Sequence, residues 1–156
     1  MAYFLNNINE VNQFSKTTKE KYFVDKSELI EKMNELVGTA SQYVCVTRPR
    51  RFGKTLNAMM LASYYSKNAD FKELFDKLEI GKSKSYSKYL NKHNVVYMTL
   101  NQLPEPGCTY DEFINNYVDA LLSDLKEAFT NIEIKDAKPL SRVFDQVYNE
   151  TKESFI

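Results

Sequence analysis

The chain has 156 residues, enough to bury one real core, and a single domain is the expectation. Lys plus Arg and Asp plus Glu each total 21, so no global field draws it toward a nucleic acid or an anionic membrane. Cys45 and Cys108 form no disulfide scaffold, His93 lacks the neighbours a zinc site needs, and neither a signal peptide nor a membrane-spanning apolar run is visible, so a soluble cytoplasmic protein is expected.

Residues 6–21 are polar and read as loop or short helix. Tyr22, Phe23 and Val24 form a brief apolar run, an edge strand or a lid over a ligand; the two rings are core packing or stacking groups for a base. Asp25 or Ser27 caps a helix with apolar Leu29, Ile30, Met33, Leu36 and Val37, and Gly38 stops it.

The central stretch runs from residue 43 to residue 65. Tyr43, Val44, Cys45, Val46 and Thr47 have the pattern of a short strand; Arg48, Pro49, Arg50, Arg51, Phe52, Gly53, Lys54 and Thr55 follow, and then a helix. Strand, tight loop and helix in that order make a phosphate-binding loop. The first amides of a helix have no partner within it, and the dipole favours an anion at that end. Lys54 supplies a mobile charge for the β- and γ-phosphates and Thr55 a hydroxyl for Mg²⁺, while the backbone of Arg50, Arg51, Phe52 and Gly53 forms the cradle. A full Walker A segment has Gly where this chain has Arg48. The alternative is that Gly53 permits a turn and Lys54 and Thr55 begin an ordinary solvated helix. The basic cluster is confined to one turn, which suits a triphosphate better than a duplex.

Beyond the loop, Leu56, Met59, Met60 and Tyr64 on one face and Ala58, Leu61, Ala62 and Tyr65 on another predict a helix apolar and buried nearly all round, in which Leu61→Ala would cost about 2–5 kcal/mol if its site is fully enclosed. Phe71, Leu74, Phe75 and Leu78 predict another; the Gly81-Lys82-Ser83 that follows is a decoy, because it comes after a helix and not a strand. Residues 95–100 read as a second buried strand, and 101–109 as a Pro/Gly loop. From Thr109 the spacing of Phe113, Ile114, Tyr117, Val118, Leu121, Leu122, Leu125 and Phe129 predicts a core-facing helix with a Thr109–Glu112 capping box, so Asp111 and Glu112 belong to a helix start and not to a catalytic acid pair. Pro139 opens a last helix with Leu140, Val143, Phe144, Val147 and Tyr148 on one side, and Phe155-Ile156 looks like the beginning of a strand.

Tyr22-Phe23-Val24-Asp25-Lys26-Ser27 followed by Thr47-Arg48-Pro49-Arg50-Arg51-Phe52-Gly53-Lys54-Thr55-Leu56-Asn57 resembles the predicted AAA-ATPase-like family, a bacterial and archaeal P-loop group in which the Arg48 position is the family's own pattern. The resemblance implies an α/β P-loop NTPase-like three-layer sandwich, with residues 1–156 as its amino-terminal portion, lacking the Walker B strand and the nuclease-like domain that many members carry. It implies ATP and Mg²⁺ as ligands, with phosphate contacts from Arg50, Arg51, Phe52, Gly53, Lys54 and Thr55, the metal on Thr55, and no catalytic residue assigned. Hydrolysis is in doubt without the Walker B acid; the alternative is a non-catalytic regulatory or protein-interaction module. Strand edges at 43–47 and 95–100 left without neighbours predict self-association.

Overall fold

Helical periodicity dominates the chain, and most of the long apolar stripes become helices. A computed structural model describes residues 2–68, 70–100, 104, 106–134 and 139–156. Among them lie α1 (Ile8–Thr17), α2 (Glu28–Leu36), α3 (Lys54–Tyr65), the single turns α4 (Lys72–Phe75) and α5 (Tyr86–Tyr89), a 3₁₀ turn (Glu79–Lys82), α6 (Tyr110–Ala128) and α7 (Leu140–Thr151). The chain divides into two compact units, Ile8–His93 and Met1–Asn7 with Asn94–Ile156.

In the Ile8–His93 unit the polar stretch at 8–17 is a helix, α1, and packs on α3. Met60, Ala62, Tyr64 and Tyr65 of α3 are buried with Phe14, Ile30, Phe75, Leu78 and Ile80, whereas Leu61 is only half-buried. Rings interlock here: Phe14 stacks on Phe75 at 5.8 Å and Tyr64 meets Phe75 edge-on at 5.4 Å. Each ring so enclosed stabilises the unit by about 2–3 kcal/mol.

Burying two tyrosines requires partners for their hydroxyls, and Asn34 on α2 supplies them. Its amide donates to Tyr64 Oη at 3.2 Å and Ser85 Oγ at 3.0 Å, and its carbonyl accepts from Tyr65 Oη at 2.7 Å. Tyr64 in turn donates to the Tyr86 carbonyl at 2.6 Å. Desolvation pushes the Tyr65 hydroxyl far above its ordinary pKa, so it stays a donor. Gly81 sits in the 3₁₀ turn, where a Cβ would come within 2.8 Å of the Phe75 carbonyl oxygen; close backbone packing requires glycine there.

His93 closes this unit. Its amide donates to the Tyr65 carbonyl at 2.9 Å, and its ring lies against Tyr65 and Tyr89, each 5.8 Å away. Burial, aided by the charge of Lys92, holds its pKa below the usual histidine value. The folded state therefore binds the proton less readily than the unfolded chain. The resulting stability is fully present above an unfolded pKa of about 6.5 and is lost as pH falls through the lower folded value. Thermal melts followed by circular dichroism should show the midpoint dropping as pH is lowered from about 7 to 5, and His93→Gln should flatten that dependence. An unchanged pH profile in the variant would show that His93 is not its source.

In the other unit, α6 starts on the expected cap. Thr109 Oγ1 accepts from the Glu112 amide at 3.3 Å and the Glu112 carboxylate accepts from the Thr109 amide at 2.7 Å. The backbone bond from Thr109, reinforced by its hydroxyl, holds the Glu112 pKa below the usual carboxylate range. Leu121, Leu122 and Leu125 pack with Leu5, Phe129, Val143 and Val147 into a core. Asp124 lies among these residues, 3% exposed, and accepts from the amides of Tyr3 at 2.9 Å, Phe4 at 2.6 Å and Leu5 at 3.0 Å. One helical carboxylate thus anchors the first residues of the chain.

The expected three-layer α/β sandwich is not formed: among the described residues there is no β-strand and no sheet, only isolated bridges. Residues 43–47 have no regular secondary structure and are exposed along their whole length, with Tyr43 88% exposed. A short β-branched run becomes a strand only when a neighbour takes its backbone groups, and none among the described residues does so. Residues 94–97 do find partners at both ends of the chain. Leu5 bridges Val96 antiparallel, and Asn94 bridges Phe155 in parallel. The Phe155-Ile156 segment, expected to begin a strand, makes only that local pairing, with Val96 N–H donating to the Ile156 carbonyl at 2.9 Å. Of the loop expected over 101–109, residues 101–103 and 105 lie outside the described residues.

Candidate functional site

The turn before α3 is built from two residues in the left-handed region. Gly53 has φ 77° and ψ 21°, and Arg51 has φ 68°. Glycine adopts that conformation freely, whereas for arginine it costs about 1–2 kcal/mol. A non-glycine residue held there is the kind of local strain that collects at ligand sites. Phe52, between them, is 58% exposed.

The consequence is a ring of unused donors. No described group accepts a hydrogen bond from the backbone N–H of Arg50, Arg51, Phe52, Gly53, Lys54 or Thr55; the first bond into α3 runs from Asn57 N to Gly53 O at 2.9 Å. Lys54 folds back over the turn, its Nζ donating to the carbonyls of Arg48 at 2.5 Å and Pro49 at 3.2 Å. Both acceptors are neutral, so the ammonium charge is not cancelled by a carboxylate. Arg50 and Thr55 are exposed beside it.

Tyr22, Phe23, Val24 and Lys26 line, together with Arg51, Phe52 and Gly53 of this turn, a cavity of about 460 Å³. Phe14, Tyr22, Phe23, Leu56 and Met60 give it an apolar aromatic wall, with Thr17, Glu20, Lys21, Lys26, Arg51 and Asn57 as polar members. Of the residues expected from sequence to contact phosphate, Arg51, Phe52 and Gly53 line this cavity, while Arg50, Lys54 and Thr55 lie outside its lining. Tyr22 is 84% exposed and so is not core packing; Phe23 is half-buried and meets Phe14 edge-on at 6.3 Å.

Lys26 is the residue that sequence reasoning passed over. A Cβ on Gly53 would lie 3.7 Å from its Nζ, so the lysine reaches across to the turn. The only sequence signal for this is its place in the Tyr22–Ser27 motif, which preserves no distance. Asp111 and Glu112 sit at the capped start of α6, and among the described residues no group of three or more His, Cys, Asp or Glu side chains could hold a metal ion. No helix among them is long and apolar enough to cross a membrane.

The family described as predicted AAA-ATPase matches residues 9–156, which includes the turn, α3 and the 22–27 segment. No curated protein and no solved structure matches the chain.

Proposed function

Because the chain belongs to the predicted AAA-ATPase family, we propose that the turn at 50–55 binds the phosphates of a nucleoside triphosphate, ATP in the first instance. The observation that carries this reading is the set of six consecutive backbone N–H groups for which no described group is an acceptor, opening a twelve-residue helix beside an ammonium with no described counter-ion. The donor set fits a polyphosphate: amides and Arg51 supply hydrogen bonds, and Lys54 exchanges two neutral carbonyls for anionic oxygens. Thr55 would offer its hydroxyl to Mg²⁺, with phosphate oxygens as the other protein-proximal ligands, and the metal would neutralise phosphate charge. Binding is the whole of the proposal; no residue is assigned to turnover. Calorimetric titration with Mg-ATP and Mg-GTP should give saturable one-to-one binding. Only heats of dilution up to about millimolar nucleotide, an interaction weaker than about 4 kcal/mol, would refute it.

A second reading concerns the exposed stretch at 43–47, where Tyr43, Val44, Cys45 and Val46 are all open to solvent on a backbone that lies in no ladder. Such a segment favours self-association by strand pairing, the same device through which a regulatory module would act. Light scattering should show dimers or larger species whose proportion falls on Val46→Lys; a strictly monomeric parent chain would exclude this reading.

A further inference from the structure

We propose that Lys26 is a second cation for the bound polyphosphate, held over Gly53 by Asp25 and Ser27 acting as positioning residues. The inference rests on the phosphate-binding reading of the turn at 50–55 and deepens it.

Lys26 is exposed, and among the described residues it has no carboxylate partner. A lone solvated lysine samples many rotamers, so its reach matters only if its backbone is fixed. Here it is fixed on both sides. Asp25 Oδ1 accepts from the Ser27 amide at 2.8 Å, and Asp25 Oδ2 accepts from the Glu79 amide at 2.7 Å. Ser27, fully buried, accepts through Oγ from the Ile80 amide at 3.0 Å. Two side chains that sequence reasoning offers as helix caps thus turn away from α2, whose cap position makes no side-chain bond, and grip the 3₁₀ turn instead. The residue between them projects to the left-handed Gly53, where a Cβ would lie in ordinary van der Waals contact with its ammonium, 3.7 Å away. Gly53 serves the conformation of the turn, and the lysine comes alongside it.

With Lys54 arriving from the helix side and Lys26 from the cavity side, an anion on the turn meets positive charge from two directions. A group bearing several adjacent negative oxygens exploits both; a neutral nucleoside exploits neither.

The test titrates the full chain with Mg-ATP, sodium tripolyphosphate and adenosine. Lys26→Met should weaken Mg-ATP and tripolyphosphate by about tenfold, make the remaining affinity less sensitive to salt, and leave adenosine unchanged. Lys26→Arg should recover most of the loss. In a Ser27→Ala background the effect of Lys26→Met should shrink, because the lysine is no longer aimed; a merely structural role for Ser27 would leave that effect intact. Unchanged Mg-ATP affinity in Lys26→Met, alongside a large loss in Lys54→Ala, would overturn the inference and leave the phosphate reading standing. An equal loss for adenosine would also overturn it, by moving the lysine's action to the base. No binding of any of the three by the parent chain would remove both.

Discussion

Lys54→Ala is expected to reduce affinity for Mg-ATP by about 100-fold, close to 3 kcal/mol, with the fold intact. The size follows from what the side chain does in each state. Free, its ammonium is satisfied by the Arg48 and Pro49 carbonyls in an exposed turn, so losing it exposes two acceptors to water at little cost. Bound, it would face oxygens carrying formal charge, and a charge-assisted bond to each is worth about 1.5–3 kcal/mol. Lys54→Arg separates charge from shape, since the broader guanidinium cannot occupy the same place above the turn; it should recover only part of the affinity. Calorimetry on the three proteins, with circular dichroism as a control for folding, makes the comparison. Equal affinity in parent and alanine variant would dismiss the assignment of Lys54.

The second large effect is on stability. Asp124→Ala should destabilise the unit containing α6 by about 3–5 kcal/mol, read as a lower urea midpoint with an unchanged slope. Its two carboxylate oxygens receive three consecutive amides, those of Tyr3, Phe4 and Leu5, at a site 3% exposed. Alanine supplies no acceptor; the buried Leu5 N–H left stranded costs about 1–3 kcal/mol, and the part-buried amides of Tyr3 and Phe4 add less. Those amides belong to the segment whose Leu5 enters the core and bridges Val96, so the loss spreads from hydrogen bonds to packing. Asp124→Asn keeps one carbonyl oxygen and should fall between parent and alanine. Were the alanine variant as stable as the parent, the three contacts would contribute nothing to folding.

Asp124 also shows where sequence reading stops. The stripe from Phe113 to Phe129 identifies the helix and its buried face, because a 3.6-residue period needs only local order to be recognised. Asp124 is a polar residue one place before Leu125, and nothing in that pattern separates it from a solvated carboxylate. Its partners are about 120 residues away in the chain. Asn34 was hidden for the same reason, its partners being on α3 and near α5. Capping at Thr109 was legible, since both partners lie within one turn.

The strands failed differently. Residues 43–47 and 95–100 carry the apolar, β-branched composition of buried strands, but a strand exists only through a neighbour, and composition does not name one. Residues 94–97 pair with the two chain ends, and 43–47 pair with nothing described.

What the amino-acid order determined alone was the existence of α3, α6 and α7 and the Thr109–Glu112 cap, because these depend on neighbours within a few residues. Tertiary structure decided that there is no sheet among the described residues, that Asp124 is an internal anchor, and that Lys26 meets Gly53. Each of these depends on groups far apart in the chain, whose meeting is set by how apolar faces pack and by where buried donors find acceptors.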